Sequence, residues 1–165
     1  LADAFARAGE EKPELMVDFA TLTGAARVAL GPDLPALFCN DDDLARALLT
    51  MGLSENDPMW LMPLWQAYRA RIDSKVADLN NVSGEPFAGA SIAALFLQAF
   101  VPAGAKWAHL DLLAWSPWAR PGRPDGAFVH PHGLRDVART LRDGLTLQRV
   151  RLHSESCGKW RAMKR

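Results

Sequence analysis

The chain has 165 residues, of which 49% are hydrophobic and 23% charged, and its formal net charge at pH 7 is zero. These values are typical of one globular domain or a large piece of one, and they exclude a disordered or fibrous chain. No run of about 18 apolar residues occurs, which excludes a membrane-spanning helix. Because the chain starts at Leu1 and not at Met, we expect it to be cut from a longer polypeptide. Its two cysteines, Cys39 and Cys157, form no CxxC pair and favour a reducing, cytoplasmic location.

The charge is unevenly distributed along the chain. Residues 1–119 hold 8 basic against 15 acidic side chains, whereas residues 120–165 hold 11 basic against 4 acidic ones. A basic end of this kind is either a solvated helix and tail or a binding surface for nucleic acid or another acidic partner. Trp160 is the only tryptophan in the tail, which does not favour stacking on single strands.

The first third of the chain predicts short alternating helices and strands. We expect the end of a helix over Ala2–Ala8 and a buried strand over Leu15–Ala20, in which Asp18 is the one strong charge. Ala25–Leu30 is either a short helix or an extended continuation of that strand. A second short strand is predicted at Ala36–Cys39, after the turn residues of 31–35.

The acidic run Asn40–Asp43 invites a metal-binding interpretation, because hard cations prefer clustered carboxylates. It lacks the further spaced ligands and the glycine of a calcium loop. The competing interpretation is a helix N-cap followed by acids that favour the positive helix end. We prefer the cap, since an apolar series at helical spacing follows: Leu44, Ala47, Leu48 and Met51.

The second half predicts a connector, two helices and a strand. Asn56–Pro63 reads as a connector, Leu64–Ile72 as a helix and Ala88–Val101 as a helix buried on most sides. Turn formers fill the stretch between those helices, and Lys106–Leu113 predicts a central strand. A proline-rich loop or lid at 119–131 and a closing helix at 134–145 follow. Strands alternating with helices predict an α/β layered domain.

The common catalytic signatures are absent: the sequence has no HExxH, GxSxG, P-loop or GxGxxG motif. His130 and His132 could offer two imidazoles to a metal, but no third ligand is nearby, so loop chemistry is favoured. His109 is expected to be a satisfied core histidine. The stretch Thr21–Gly24 follows a strand, where α/β proteins place ligand sites, although strand–turn–Gly by itself is a weak signal.

Several segments, in order along the chain, resemble the leucyl aminopeptidase family, also called cytosol aminopeptidases. They are LADAF (1–5), DFATLTGAARVALG (18–31), PLWQAYRARIDSKVADLNNVSG (63–84), AGASIAALFLQAFV (88–101) and WAHLD (107–111). DLLAWSPWARPGRPDG (111–126) resembles a bacterial branch of that family. The resemblance covers residues 1–147, and the ordered set is far more specific than TLTG alone.

The resemblance implies the C-terminal part of an incomplete catalytic domain at 1–147, followed by a basic tail at 148–165. The implied fold is a three-layer α/β/α domain on a mixed central sheet, and the implied assembly is a hexamer. The implied activity is removal of N-terminal residues from peptides by two divalent ions, zinc or manganese, which activate a bridging water. The family's metal ligands lie upstream of Leu1, so we expect this chain alone to bind no such ion and to be inactive. No catalytic or metal residue is assigned, and Asp3, Asp18 and Asp111 are not expected to act as substitutes.

The substrate side is what the resemblance carries over to this chain. It implies that Leu22 offers its carbonyl and Gly24 its N–H to the substrate backbone, and that Thr21 lines the pocket for the first side chain. Val82 and the segment from Leu113 to Ser116 are implied to lie nearby, with residues bulkier than the Ile-Ala-Gly common in the family. The alternative for all six is core packing. At the level of the whole chain, the alternatives to an aminopeptidase part are a nucleic-acid-binding module and a structural assembly fragment.

Overall fold

The computed structural model describes residues 1–84, 86–113 and 115. Four α-helices, one 3-10 helix and four strands occur in these residues. In chain order they are α1 (Ala2–Gly9), β1 (Leu15–Ala20), α2 (Gly24–Leu30), β2 (Ala36–Cys39), α3 (Asp42–Ser54), β3 (Trp60–Leu61), the 3-10 helix (Gln66–Ile72), α4 (Gly89–Gln98) and β4 (Lys106–Asp111).

The strands of the described residues form one mixed sheet in the order β1-β4-β2-β3. β1 and β4 run parallel, with Leu15 opposite Lys106 and Ala20 opposite Asp111. β2 runs antiparallel to β4 and parallel to β3. The predicted central position of β4 is therefore confirmed, and the carboxyl ends of β1 and β4 meet at one edge of the sheet.

Helices cover both faces of the sheet, as predicted for a three-layer α/β/α domain. Alternate β4 residues pack to opposite sides, because successive side chains of a strand point to opposite faces. Trp107 packs with residues of α1, α2 and α4. Ala108 and Leu110 pack instead with Leu44 and Leu48 of α3. α4 is buried on most sides, as predicted. Gly89, its first residue, packs close to α2: a Cβ added at Gly89 would lie 3.3 Å from the Cβ of Ala25.

Side-chain caps explain where two helices begin. The Thr23 hydroxyl accepts a hydrogen bond from Ala26 N at 3.1 Å, which resolves the 25–30 stretch as helix. At α3 the Asp41 carboxylate accepts from Leu44 N at 2.7 Å. Asp41 also pairs with the Lys106 ammonium at 3.0 Å. The cap interpretation of the acidic run is thus confirmed.

Three local predictions need correction. The predicted helix at Leu64–Ile72 is a 3-10 helix over Gln66–Ile72. The predicted connector before it contains the short strand β3, which pairs with β2 through Trp60 and Leu61. In α3 the buried residues are Leu44, Ala45, Leu48 and Gly52, whereas Ala47 is exposed and Met51 half-buried. The helix is therefore rotated by a fraction of a turn from the orientation that the apolar spacing predicted.

The predicted lid, the closing helix, the basic tail and the pair His130 and His132 lie outside the described residues, and so does Cys157. Within the described residues no helix combines the length and hydropathy needed to cross a bilayer.

Candidate functional site

A buried polar cluster joins β1 to β4 on the face covered by α1, α2 and α4. The Asp18 carboxylate accepts one hydrogen bond from the Trp107 indole Nε1 at 2.9 Å, and its other oxygen lies 2.6 Å from His109 Nδ1. Asp18 is 7% exposed, and both rings are fully buried. Each carboxylate oxygen thus has a partner, which is what an ionised group needs when it is removed from water.

The His109 ring is held by stacking as well as by this hydrogen bond. Its ring plane lies 9° from that of Trp107 and 23° from that of Phe38, with centroids 6.0 Å apart in both pairs. An ionised carboxylate only accepts, so Nδ1 carries the proton that is donated to Asp18. His109 Nε2 is buried and has no hydrogen-bond partner among the described residues. The predicted core position of His109 is confirmed, but the side chain is satisfied at one nitrogen only.

At the edge of the same face, Asp111 holds the loop that follows β1. Its Oδ1 accepts from Leu22 N at 3.0 Å and from Thr23 N at 3.1 Å. Its Oδ2 accepts from the Thr23 hydroxyl at 2.6 Å. Asp111 is 2% exposed, so these three bonds satisfy a carboxylate that is almost entirely removed from water.

The structure brings several of the six predicted substrate residues to this edge. Thr21 and Leu22 are exposed on the loop between β1 and α2, Gly24 is exposed as the first residue of α2, and Leu113 lies two residues beyond the end of β4. The chain still pairs beyond the strands, because Leu112 N donates to Ala20 O at 3.0 Å. Val82 lies on a different segment, between the 3-10 helix and α4, and is 66% exposed. Ser116 lies outside the described residues.

A cleft opens beside the loop, between α2 and the segment that leaves β4. Its lining is mixed in character, with one basic and several acidic side chains among apolar and backbone groups. The lining residues are Ala26, Arg27, Gly31, Pro32, Asp33, Leu34, Pro35, Asp57, Asp111, Leu112 and Leu113. Asp111, which holds the loop, and the predicted substrate residue Leu113 both line the cleft, so the edge of the sheet is concave on that side.

The described residues do not fit a metal centre. They contain no group of three or more His, Cys, Asp or Glu side chains that could hold an ion. Both carboxylate oxygens of Asp18 and of Asp111 are already engaged in hydrogen bonds within the protein, as described above. The half-buried Cys39 is equally unsuited to be a ligand, because burial raises the pKa of its thiol and so disfavours the thiolate.

Residues 1–130 match the cytosol aminopeptidase family, catalytic domain. The chain belongs to this family. The resemblance seen in the ordered segments of the sequence is thereby confirmed, as is the α/β fold that it implied.

Similar proteins agree in sequence and in structure. A probable cytosol aminopeptidase from Caulobacter vibrioides is 46% identical over 147 residues, which are 87% of this chain and 29% of that protein. The crystal structure of the cytosol aminopeptidase from Coxiella burnetii superposes with a TM-score of 0.80 at 52% identity, covering 87% of this chain and 31% of that one. The bottromycin maturation enzyme BotP in complex with Mn superposes with a TM-score of 0.77 at 37% identity, covering 85% and 32%. The chain therefore spans less than a third of the length of these relatives.

The contacts that hold the site were missed from the sequence, although a signal for them was present. His109 and Asp111 are two residues apart in a predicted strand, which puts them on one face, and Asp18 is the lone charge of the other predicted strand. That pattern indicates buried polar pairing between strands. The sequence alone did not supply the register that brings Asp18 opposite His109.

Proposed function

We propose that this chain is the substrate-binding part of the catalytic domain of a metal-dependent aminopeptidase that releases N-terminal residues from peptides. The observation that carries the proposal is the family match over residues 1–130. The position of the loop Thr21–Thr23 supports it, because ligands of α/β proteins bind outside the carboxyl ends of parallel strands. The peptide would lie across that edge, with its free amino end toward residues outside this chain.

Within this proposal the six residues divide into backbone and pocket roles. Leu22 accepts from the substrate backbone through its carbonyl, and Gly24 donates to it through its N–H. Thr21 lines the pocket for the first side chain, with Val82 and the segment from Leu113 to Ser116 nearby. The exposure of Thr21, Leu22 and Gly24 supports these roles, since a residue that packs only in the core would be buried.

The metal ions of the proposed enzyme are held outside this chain. The manganese named in the structure of the relative BotP supports a divalent ion as the cofactor, and zinc is the alternative. Such ions supply an activated water and stabilise charge on the reacting carbonyl. This chain then binds and orients the peptide but does not hydrolyse it alone.

Hydrolysis of leucine amide tests this division of labour. The 165-residue chain, supplied with Mn²⁺ or Zn²⁺, should show no turnover and no stoichiometric ion binding by calorimetry. The full-length protein, meaning the longer polypeptide that carries the rest of the catalytic domain, should turn over with Mn²⁺ and stop when a chelator is added. Turnover by the isolated chain would contradict the assignment of the ligands elsewhere, and an inactive full-length protein would contradict the aminopeptidase function.

Assembly and location follow the family in this proposal. We expect the full-length protein to be a cytoplasmic homohexamer, which sedimentation velocity of the intact protein would check. The basic end at 120–165 favours a second function, nucleic-acid binding, through its 11 basic against 4 acidic residues. Binding that weakens steeply with salt, and that removal of residues 149–165 abolishes, would support this second function.

A further inference from the structure

We propose that Asp111 is a positioning residue that fixes the loop Thr21–Thr23 in the orientation that presents the Leu22 carbonyl to a peptide. This inference rests on the proposed aminopeptidase function and adds to it a residue that acts through the loop, without touching the substrate. It is carried by three hydrogen bonds, by the direction of two peptide groups and by the burial of the carboxylate.

The bonds link residues distant in sequence at the point where the sheet ends. β1 pairs with β4 up to Ala20 opposite Asp111. Beyond Ala20 the chain turns toward α2, and the N–H groups of Leu22 and Thr23 both donate to Asp111 Oδ1. Backbone groups that leave a sheet need new partners when water is excluded. The Asp111 side chain therefore accepts the hydrogen bonds of backbone N–H groups that no longer have a partner on a neighbouring strand.

The same bonds determine where the loop carbonyls point. The protein has no cis peptide bond among the described residues, so each carbonyl is directed opposite to the N–H of the following residue. Because Thr23 N–H points to Asp111, the Leu22 carbonyl points away from it. Because Leu22 N–H also points to Asp111, the Thr21 carbonyl does the same. The carboxylate thus turns two successive carbonyls away from itself, at a leucine residue that is 37% exposed.

Thr23 couples this orientation to α2. Its hydroxyl donates to Asp111 Oδ2 at 2.6 Å and accepts from Ala26 N at 3.1 Å, which makes it both the N-cap and the link to β4. Hydrogen bonds to an ionised acceptor are short and strong. The loop is therefore fixed at both ends, to β4 and to the first turn of α2. Both Asp111 oxygens are engaged in this clamp, which separates its role from that of a metal ligand or a base.

Two substitutions distinguish positioning from direct chemistry. In Asp111→Asn the amide oxygen still accepts from Leu22 N and Thr23 N, and the NH₂ group can donate to the Thr23 hydroxyl, so the clamp persists without charge. In Asp111→Ala all three bonds are lost. For the full-length protein with Mn²⁺ and leucine amide, we expect KM to rise at least about tenfold in Asp111→Ala while kcat changes by less than about threefold. In Asp111→Asn we expect both constants to stay within about threefold of the wild type.

The matched control is Asp41→Ala, which removes an N-cap carboxylate from α3 at the opposite end of β4 and should leave KM unchanged. Amide hydrogen exchange gives a readout that does not depend on activity: the Leu22 and Thr23 amides should exchange at least about tenfold faster in Asp111→Ala than in Asp111→Asn. An equal loss of activity in both Asp111 variants would overturn the positioning role in favour of a direct one. Unchanged KM and unchanged exchange in Asp111→Ala would overturn it altogether. An inactive wild-type protein would instead overturn the proposed function and, with it, any substrate role of the loop.

Discussion

Replacing Gly24 with alanine tests the proposed substrate-binding role of this residue separately from its effect on the stability of the protein. Gly24 is the first residue of α2, and an added Cβ at this position would meet no atom within 4 Å. Among the glycines that the structure describes, Gly31 and Gly104 have a positive φ and Gly24 does not. The protein alone therefore accommodates a methyl group at position 24 without strain, and any harm must come from something that binds there.

The methyl group added by Gly24→Ala should stabilise the folded protein but weaken the binding of the peptide. Alanine is favoured over glycine inside a helix by about 1 kcal/mol, and a first-turn position should retain about half of that as added stability. For peptide binding, a methyl group placed against a closely approaching backbone costs about 1–3 kcal/mol, which raises KM by about 5- to 150-fold. Gly24→Ala should thus yield a more stable protein that binds its substrate less well.

Gly104→Ala is the control, because its surroundings are equally open but its φ is +84°. A left-handed backbone costs about 1–2 kcal/mol for a residue with a Cβ, so this variant should lose stability and keep its KM. Urea unfolding of the chain measures the first effect, and leucine amide hydrolysis by the full-length protein measures the second. An unchanged KM in Gly24→Ala would refute the contact between Gly24 and the substrate, and a loss of stability would refute the open space above it.

Three further changes test how the fold is held. Asp18→Ala leaves an indole N–H and an imidazole N–H unsatisfied in the core. The free energy of unfolding, measured in urea, should fall by about 3–5 kcal/mol, so that little of the protein remains folded. Gly52→Ala places a Cβ 2.7 Å from the Asp57 carbonyl oxygen, so we expect a loss of about 1–3 kcal/mol and a lower Tm. The bond from Leu44 N, followed by the Lys106 ammonium, lowers the pKa of Asp41. The Asp41 carboxylate should contribute its full stabilisation above about pH 4 and lose it as the pH falls through its lowered folded-state pKa. Asp41→Ala should therefore weaken the pH dependence of the free energy of unfolding in that acid range, which urea unfolding at several pH values measures.

The parts of the fold with a strong local signal could be predicted from the sequence. The strand at Leu15–Ala20 and a helix cap within Asn40–Asp43 were both predicted, because an apolar run and a capping side chain act through neighbouring residues. The two-residue strand β3 could not be found in this way, since two residues carry no periodicity. The rotation of α3 was also missed, because Ala45 and Ala47 are equally apolar and only the packing against the sheet decides which one is buried.

The candidate site, too, could be predicted from the sequence only in part. The loop Thr21–Gly24 was located by a motif, but the residue that orients it is 88 or 89 positions away along the chain. A contact of that separation depends on the register between β1 and β4, which no local pattern encodes. The six predicted substrate residues stay predictions.

The buried charges explain how a loop outside the sheet can still be rigid. Asp18 and Asp111 lie on the same face, and burying either carboxylate without partners would cost several kcal/mol. Asp18 meets this requirement inside the sheet, where it ties two side chains of β4 to β1. Asp111 has the same need at the strand end, where the residues opposite it, Ala20 and Ala36, have no donor in their side chains, and the N–H groups of the loop supply the hydrogen bonds. The hydrogen bonds that one buried carboxylate requires therefore order the loop, and in the proposed role the same residue that stabilises the fold also positions the loop for a ligand.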